Sequence, residues 1–171
     1  MAQDADNPTV VIDTSMGTIT AELWADRAPK TVANLLAYVD DEFYDGLIFH
    51  RVINDFMIQG GGMDADMKQK GTRDPIVNEA SAELRNDRGT LAMARTSDVN
   101  SATAQFFINL VDNAFLNHQD ETAQGFGYCA FGEVTEGLDV VDRIGSVATG
   151  RSGFHDDVPR EPVVINSIRR G

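Results

Sequence analysis

The sequence predicts a mainly β fold: an antiparallel barrel, closed or nearly so, with two helices outside it or plugging its ends. Three observations carry that prediction. At least seven short segments are rich in β-branched and aromatic residues. Only two segments show helical spacing. The two kinds do not alternate as a βαβαβ chain would. The length of 171 residues suits one domain over 1–171, with an ordered core over about 8–170.

Residues 9–13 (TVVID) and 18–24 (TITAELW) read as a hairpin turning at Ser15-Met16-Gly17. Pro29 then opens a helix of about 12 residues, with Val32, Leu35, Leu36 and Val39 on its inner face. Residues 47–53 (LIFHRVI) and 56–59 (FMIQ) read as strands separated by Asn54-Asp55. Further strands are expected at 90–94, 105–109 and 128–134. Thr135 to Ile144 reads as a second helix, with Leu138, Val141 and Ile144 inward and Gly145 as its stop. Residues 162–169 close the chain as a strand. Segments 60–88, 110–127 and 145–161 show no period, and their Val, Leu and Phe content suggests packed, functional loops.

Composition removes several classes of function. Asp and Glu number 27 against 14 Lys and Arg, a net charge of −13, which repels nucleic acid and anionic membranes. The acids are 19 Asp and 8 Glu, and the bases 11 Arg and 3 Lys, a balance that suggests adaptation to a high-salt cytosol. An acidic protein of ordinary salinity is the alternative. The single cysteine, Cys129, precludes an internal disulfide and fits a reducing compartment. No apolar run approaches membrane-spanning length, and MAQDADNPTV lacks a leader pattern, so a cytoplasmic protein is expected.

The chemistry-bearing motifs are mostly missing. Gly60-Gly61-Gly62 is followed by no Gly-Lys-Ser/Thr and reads as a tight turn or bulge. Asp64 and Asp66 lack the glycine and glutamate of a calcium loop. His50, His118 and His155 are scattered, without ligand spacing, so no metal is expected. There is no serine elbow, and Cys129 reads as a buried, inert thiol.

Two stretches remain. In 49–62, alternation places His50 and Val52 on one face and Phe49, Arg51 and Ile53 on the other. It likewise pairs Met57 with Gln59, and Phe56 with Ile58. An arginine among apolar residues is costly to bury alone, so Arg51 should exit at a rim or be held by a partner such as Gln59. Taken by itself it reads more readily as an edge arginine in a surface pair. In 105–108, alternation sends Phe106 and Phe107 to opposite sides. An outward Phe107 beside Phe56 and Met57 makes an apolar patch suited to a ligand; the plainer alternative is a core strand.

These residues resemble the cyclophilin-type peptidyl-prolyl cis–trans isomerases. The resemblance rests on FHRVI-x-x-FMIQGG at 49–61, SATAQFFI at 101–108 and GYCAFGEV-x-x-G-x-DVVD at 127–142, and runs from about Thr9 to Arg169. It is nearest to the short bacterial-type cytosolic members. It implies an eight-stranded β-barrel closed by two helices, with the substrate site on the barrel's outer face. It implies Arg51 as the catalytic arginine and Phe56, Met57, Phe107 and Leu116 as a proline pocket. Gln59 would position Arg51 and contact the substrate backbone. Ala94, Arg95, Thr96 and Gln105 would line the neighbouring groove, with His50 and Phe115 at the rim. Three positions depart from many members: Phe115 replaces Trp, Arg95 replaces Asn, and Tyr128 replaces His in a minor polar contact. Losing the indole N–H at Phe115 implies weak binding of cyclosporin.

What the resemblance implies is chemically coherent. Rotation about a prolyl bond breaks nothing covalent, so no nucleophile, metal or cofactor is needed. The barrier, about 18–20 kcal/mol, comes from amide resonance. A donor to the prolyl nitrogen helps only when the bond is twisted, which is the kind of contact that raises rate. The expected partners are proline-containing peptides and folding proteins, and the expected state is a monomer. A proline-peptide binding module or chaperone of the same fold, without turnover, is the rival.

Overall fold

In the structure, a computed structural model describing residues 7–153 and 155–171, the first hairpin forms as expected. Residues 1–6, on which part of the leader expectation falls, and Phe154 lie outside the described residues. Strands β1 (Thr9–Thr14) and β2 (Gly17–Leu23) pair in register, with Thr14 opposite Gly17 at the turn. Helix α1 spans Pro29–Asp40, as Pro29 and the apolar spacing predict. Short strands follow: β3 (Leu47–Ile48), β4 (Arg51–Ile53), β5 (Met57–Gly60), β6 (Met63–Asp64), β7 (Thr90–Met93) and β8 (Phe106–Asn109). One turn of 3-10 helix, Ala114–Leu116, precedes β9 (Ala130–Glu136). Helix α2 (Leu138–Gly145), the hairpin β10 (Thr149–Ser152) and β11 (His155–Pro159), and β12 (Ile165–Arg170) complete the chain.

Eight strands form one antiparallel sheet, ordered β12-β1-β2-β9-β7-β8-β5-β4. Its concave side holds a core that includes Ile12, Ile19, Leu23, Ile58, Leu91, Phe106 and Phe131. The expected closed barrel is not what forms. The outer strands β4 and β12 share no ladder. Among the described residues, the segment before β4 reaches that edge through Gly46 N–H to Ile165 O (2.8 Å) and Phe49 N–H to Val163 O (3.0 Å), with a bridge at Ile48 and Val164. Strand periodicity reports which side chains are buried, and a half-closed sheet buries the same ones.

The reading of 47–53 as one strand also fails. The chain leaves the ladder at Phe49 and His50. The reason lies opposite: a Cβ on Gly60 would sit 2.6 Å from Ile48 O and 2.9 Å from Phe49 Cα. The two segments cross too closely there for ladder spacing.

The second helix starts three residues later than expected, because Thr135 and Glu136 continue β9. Gly137 makes the turn at φ 91°, where a Cβ would meet Thr18 O at 2.4 Å. The later start shifts the buried face to Val140, Val141 and Ile144, leaving Leu138 only partly buried. Gly145 is the last helical residue rather than the stop beyond it, and Leu110 packs where its side chain would be.

Helix α1 has no cap of its own, since its N-cap residue is Ala28. Glu79 supplies one from the long 60–88 segment. Its carboxylate accepts from Thr31 N–H (2.7 Å), Thr31 Oγ1–H (2.7 Å) and Lys30 N–H (3.3 Å). The other end of the helix is tied to β12 by a two-bond fork from Arg170 to Asp40, and Arg169 forks Asp45 in the same way. These guanidiniums hold the Asp40 and Asp45 carboxyls below the usual carboxylate range.

Candidate active site

Cross-strand register builds the site. Arg51 faces Gln59 across β4 and β5, Gln59 faces Phe107 across β5 and β8, and Phe107 faces Ala92 across β8 and β7. Because alternate residues share a face, these four form one row on the convex side. Ile53, Met57 and Asn109 make the adjacent row. Ile58, Ile108 and Phe106 point to the core instead. Alternation thus holds within β5 and β8. It does not hold for Phe49, which packs in the core against Phe106, with ring centres 6.1 Å apart, while Arg51 is exposed. Nor does it place Phe56, which belongs to the turn before β5 and so does not share a face with Ile58.

The row borders a pocket of about 140 Å³. Met57, Phe107 and Leu116 are buried in its wall, and Phe56 and Tyr128 flank them. Tyr128 meets Phe107 edge-on at 5.8 Å. Arg51, Gln59, Ala94 and Arg95 form the polar side. This volume is well below the roughly 300–1,000 Å³ of drug-sized sites and suits one small apolar ring. An adjoining groove of about 290 Å³ shares Gln59, Ala94 and Arg95 with the pocket and adds Thr96 and Gln105. A larger hollow of about 470 Å³ by the β10–β11 hairpin contains none of the row.

The polar side is ordered by amides. Arg51 Nη1 donates to Gln59 Oε1 at 3.4 Å, and Gln59 Nε2 donates to Gln105 Oε1 at 3.0 Å. Gly62 lets the backbone lie against Gln105, since a Cβ there would be 2.4 Å from that side chain. Among the described residues no carboxylate lies within 4.0 Å of Arg51 or Arg95.

Two expected rim residues behave differently from one another. Phe115 does sit at the mouth, 66% exposed, stacked on Phe56 with centres 5.7 Å apart. His50 does not line the pocket. It is 7% exposed, and its Nδ1 has no hydrogen-bond partner among the described residues. Burial first, and then the charges of His155 and Arg51, push its pKa down to about 4. Cys129 is buried as expected, and burial raises its thiol to about 11.

Sequence reasoning missed three buried asparagines that support the pocket. Asn113 Nδ2 donates to Phe56 O (3.0 Å) and Asn109 Oδ1 (2.8 Å). Asn109 Nδ2 donates to Asn86 Oδ1 (3.2 Å) and Thr90 Oγ1 (2.9 Å). Asn86 Nδ2 in turn donates to Leu116 O (3.3 Å) and Tyr128 O (3.1 Å). Three separate wall segments are thereby joined from behind. The available signal was Asn109, an amide at the end of the apolar strand QFFIN.

Comparison with known proteins supplies independent information. A family model described as cyclophilin type peptidyl-prolyl cis-trans isomerase/CLD matches residues 9–170. Peptidyl-prolyl cis-trans isomerase B of Escherichia coli (strain K12) is 59% identical over 159 residues, covering 93% of this chain and 97% of the relative. Peptidyl-prolyl cis-trans isomerase cyp18 of Streptomyces antibioticus is 62% identical over 161 residues, covering 94% and 97%. A crystal structure of a Cryptosporidium parvum cyclophilin type isomerase, in the presence of the dipeptide Ala-Pro, superposes with TM-score 0.79 at 28% identity. That superposition covers 95% of this chain and 98% of the other.

Proposed function

The chain belongs to the cyclophilin-type peptidyl-prolyl cis–trans isomerase family, and from that premise we propose how its own residues carry the reaction. It is a peptidyl-prolyl cis–trans isomerase. The proline ring enters the pocket between Phe56, Met57, Phe107 and Leu116. The Arg51 guanidinium donates to the prolyl nitrogen as the bond twists. The observation that supports this reading best is that Arg51 borders the pocket and, among the described residues, its guanidinium makes one bond, at 3.4 Å to a neutral amide. Gln59 aims Arg51 and meets the substrate backbone, while Gln105 holds Gln59.

Magnitudes apportion the work. A 10⁴-fold acceleration needs about 5.4 kcal/mol. One hydrogen bond to a charged group contributes about 1.5–3 kcal/mol, so Arg51 alone is insufficient. The apolar wall supplies the rest by anchoring the ring and excluding water, which favours the planar, charge-separated amide. The test is prolyl exchange in an Ala-Pro-Phe peptide. Arg51→Ala should lower kcat/KM by about 100-fold, the worth of one charged hydrogen bond, while peptide binding persists. Near-normal turnover in that variant removes Arg51 from the mechanism. A folded wild-type protein with binding and no exchange would instead favour a module without turnover.

Exposed Phe115 lacks an N–H donor, which supports weak cyclosporin binding. The acid excess supports a protein adapted to a salt-rich cytoplasm. Its proposed partners are proline-containing and folding chains, and its proposed state is a monomer. Among the described residues no helix is long and apolar enough to cross a membrane.

A further inference from the structure

We propose that the groove beside the proline pocket selects substrates with an aspartate or glutamate two residues from the proline, and that Arg95 reads that carboxylate. The inference rests on the isomerase reading above. It starts from where this protein leaves positive charge unpaired. Of its 11 arginines, eight stand within 4.0 Å of a carboxylate: Arg27, Arg73, Arg85, Arg88, Arg143, Arg151, Arg169 and Arg170. Among the described residues Arg51, Arg95 and Arg160 do not. Two of those three border the same pocket, in a chain with nearly twice as many acids as bases.

Arg95 is also held in place. Its Nε donates to Gly127 O (3.0 Å), Nη1 to Thr96 O (2.9 Å) and Nη2 to Ala123 O (3.3 Å). Its guanidinium carbon stands 4.8 Å from the centre of the Tyr128 ring. Carbonyls fix the side chain without neutralising it. A guanidinium has five N–H groups, so two remain, one on each Nη, which is the number a bidentate carboxylate takes. Because the side chain is already ordered, binding costs little further rotamer entropy.

The groove it borders is polar, and among the described residues none that lines it is an acid. Its other walls include Gln69, Thr72, Ser101 and Thr103, alongside Gln105. The groove joins the pocket at Gln59 and Ala94. An extended peptide places side chains two residues apart on the same side, so a proline in the pocket puts such a neighbour over the groove. The net charge of −13 opposes an acidic peptide at long range, but screening limits that to about 8 Å at physiological ionic strength. Of the residues lining the groove, Arg95 is the charged one.

The test compares kcat/KM for short proline peptides carrying Glu or Gln two residues before, or two residues after, the proline. One of the two positions should favour Glu by about fivefold at 0.1 M salt, the upper range for an exposed ion pair. That ratio should fall towards one in molar KCl and in Arg95→Gln. Equal rates for Glu and Gln at both positions overturn the inference, as does a preference that survives both Arg95→Gln and salt. The salt series on the wild type keeps the test decisive if the variant fails to fold. Absence of exchange with every peptide would count against the isomerase reading itself, a different result from exchange without preference.

Discussion

The two faces of β4, β5, β8 and β7 share one backbone and differ in almost everything else. On the concave face Val52, Ile58, Ile108 and Leu91 are sealed in the core, and Phe106 packs edge-on against Tyr44 at 5.7 Å. On the convex face, one residue along, Arg51, Gln59 and Phe107 surround a space the protein does not fill. Adjacent phenylalanines, Phe106 and Phe107, therefore have opposite tasks. The concave face spends its apolar area on stability, and the convex face withholds some of it for a ligand.

Three experiments test that contrast. Phe106→Ala should have the largest effect, lowering stability by about 3–5 kcal/mol in urea unfolding, as large-to-small core changes do. A loss below about 1 kcal/mol would place Phe106 outside the core.

The next effect is on pH. His50 is buried, and His155 and Arg51 are the charges that act on it. Its pKa in the fold, about 4, lies below the roughly 6.5 of the unfolded chain. On acidification the unfolded chain takes the proton first. The stability due to neutral His50 is complete above pH 6.5 and lost as pH falls through 4, by up to about 3 kcal/mol. Urea midpoints from pH 7 to 4.5 should show that slope, reduced in His50→Gln. Identical slopes in both proteins would mean that His50 titrates normally.

The smallest effect is on salt. Thermal stability should rise with KCl towards molar levels, because screening relieves repulsion on the acidic surface. An unchanged melting temperature from 0.1 to 2 M KCl would leave the aspartate excess without that explanation.

Much of this contrast was legible in the sequence. Period-two alternation separated Ile58 from Met57 and Gln59, and Phe106 from Phe107. The Pro29 helix start and its apolar spacing located α1 with its bounds. What escaped has physical causes. Alternation assumes an unbroken strand, so it misplaced Phe49 and Phe56 where the chain leaves the ladder. Closure between β4 and β12 depends on distant backbone bonds that no local pattern encodes. Of the asparagines joining Phe56, Leu116 and Tyr128, Asn86 and Asn113 come from two aperiodic stretches and Asn109 from a strand end, and only their convergence gives them meaning.

The borrowed cap on α1 has a consequence for the order of folding. A 12-residue helix without its own N-terminal acceptor is marginal in water. Its acceptor, Glu79, lies 48 residues from Thr31 along the chain. Closing that loop costs entropy before the cap contributes anything. Helix α1 should therefore consolidate late, after the 60–88 segment has docked, rather than seeding the sheet. Glu79→Gln would then chiefly speed unfolding and leave the refolding rate nearly unchanged, the kinetic pattern of a contact made after the transition state.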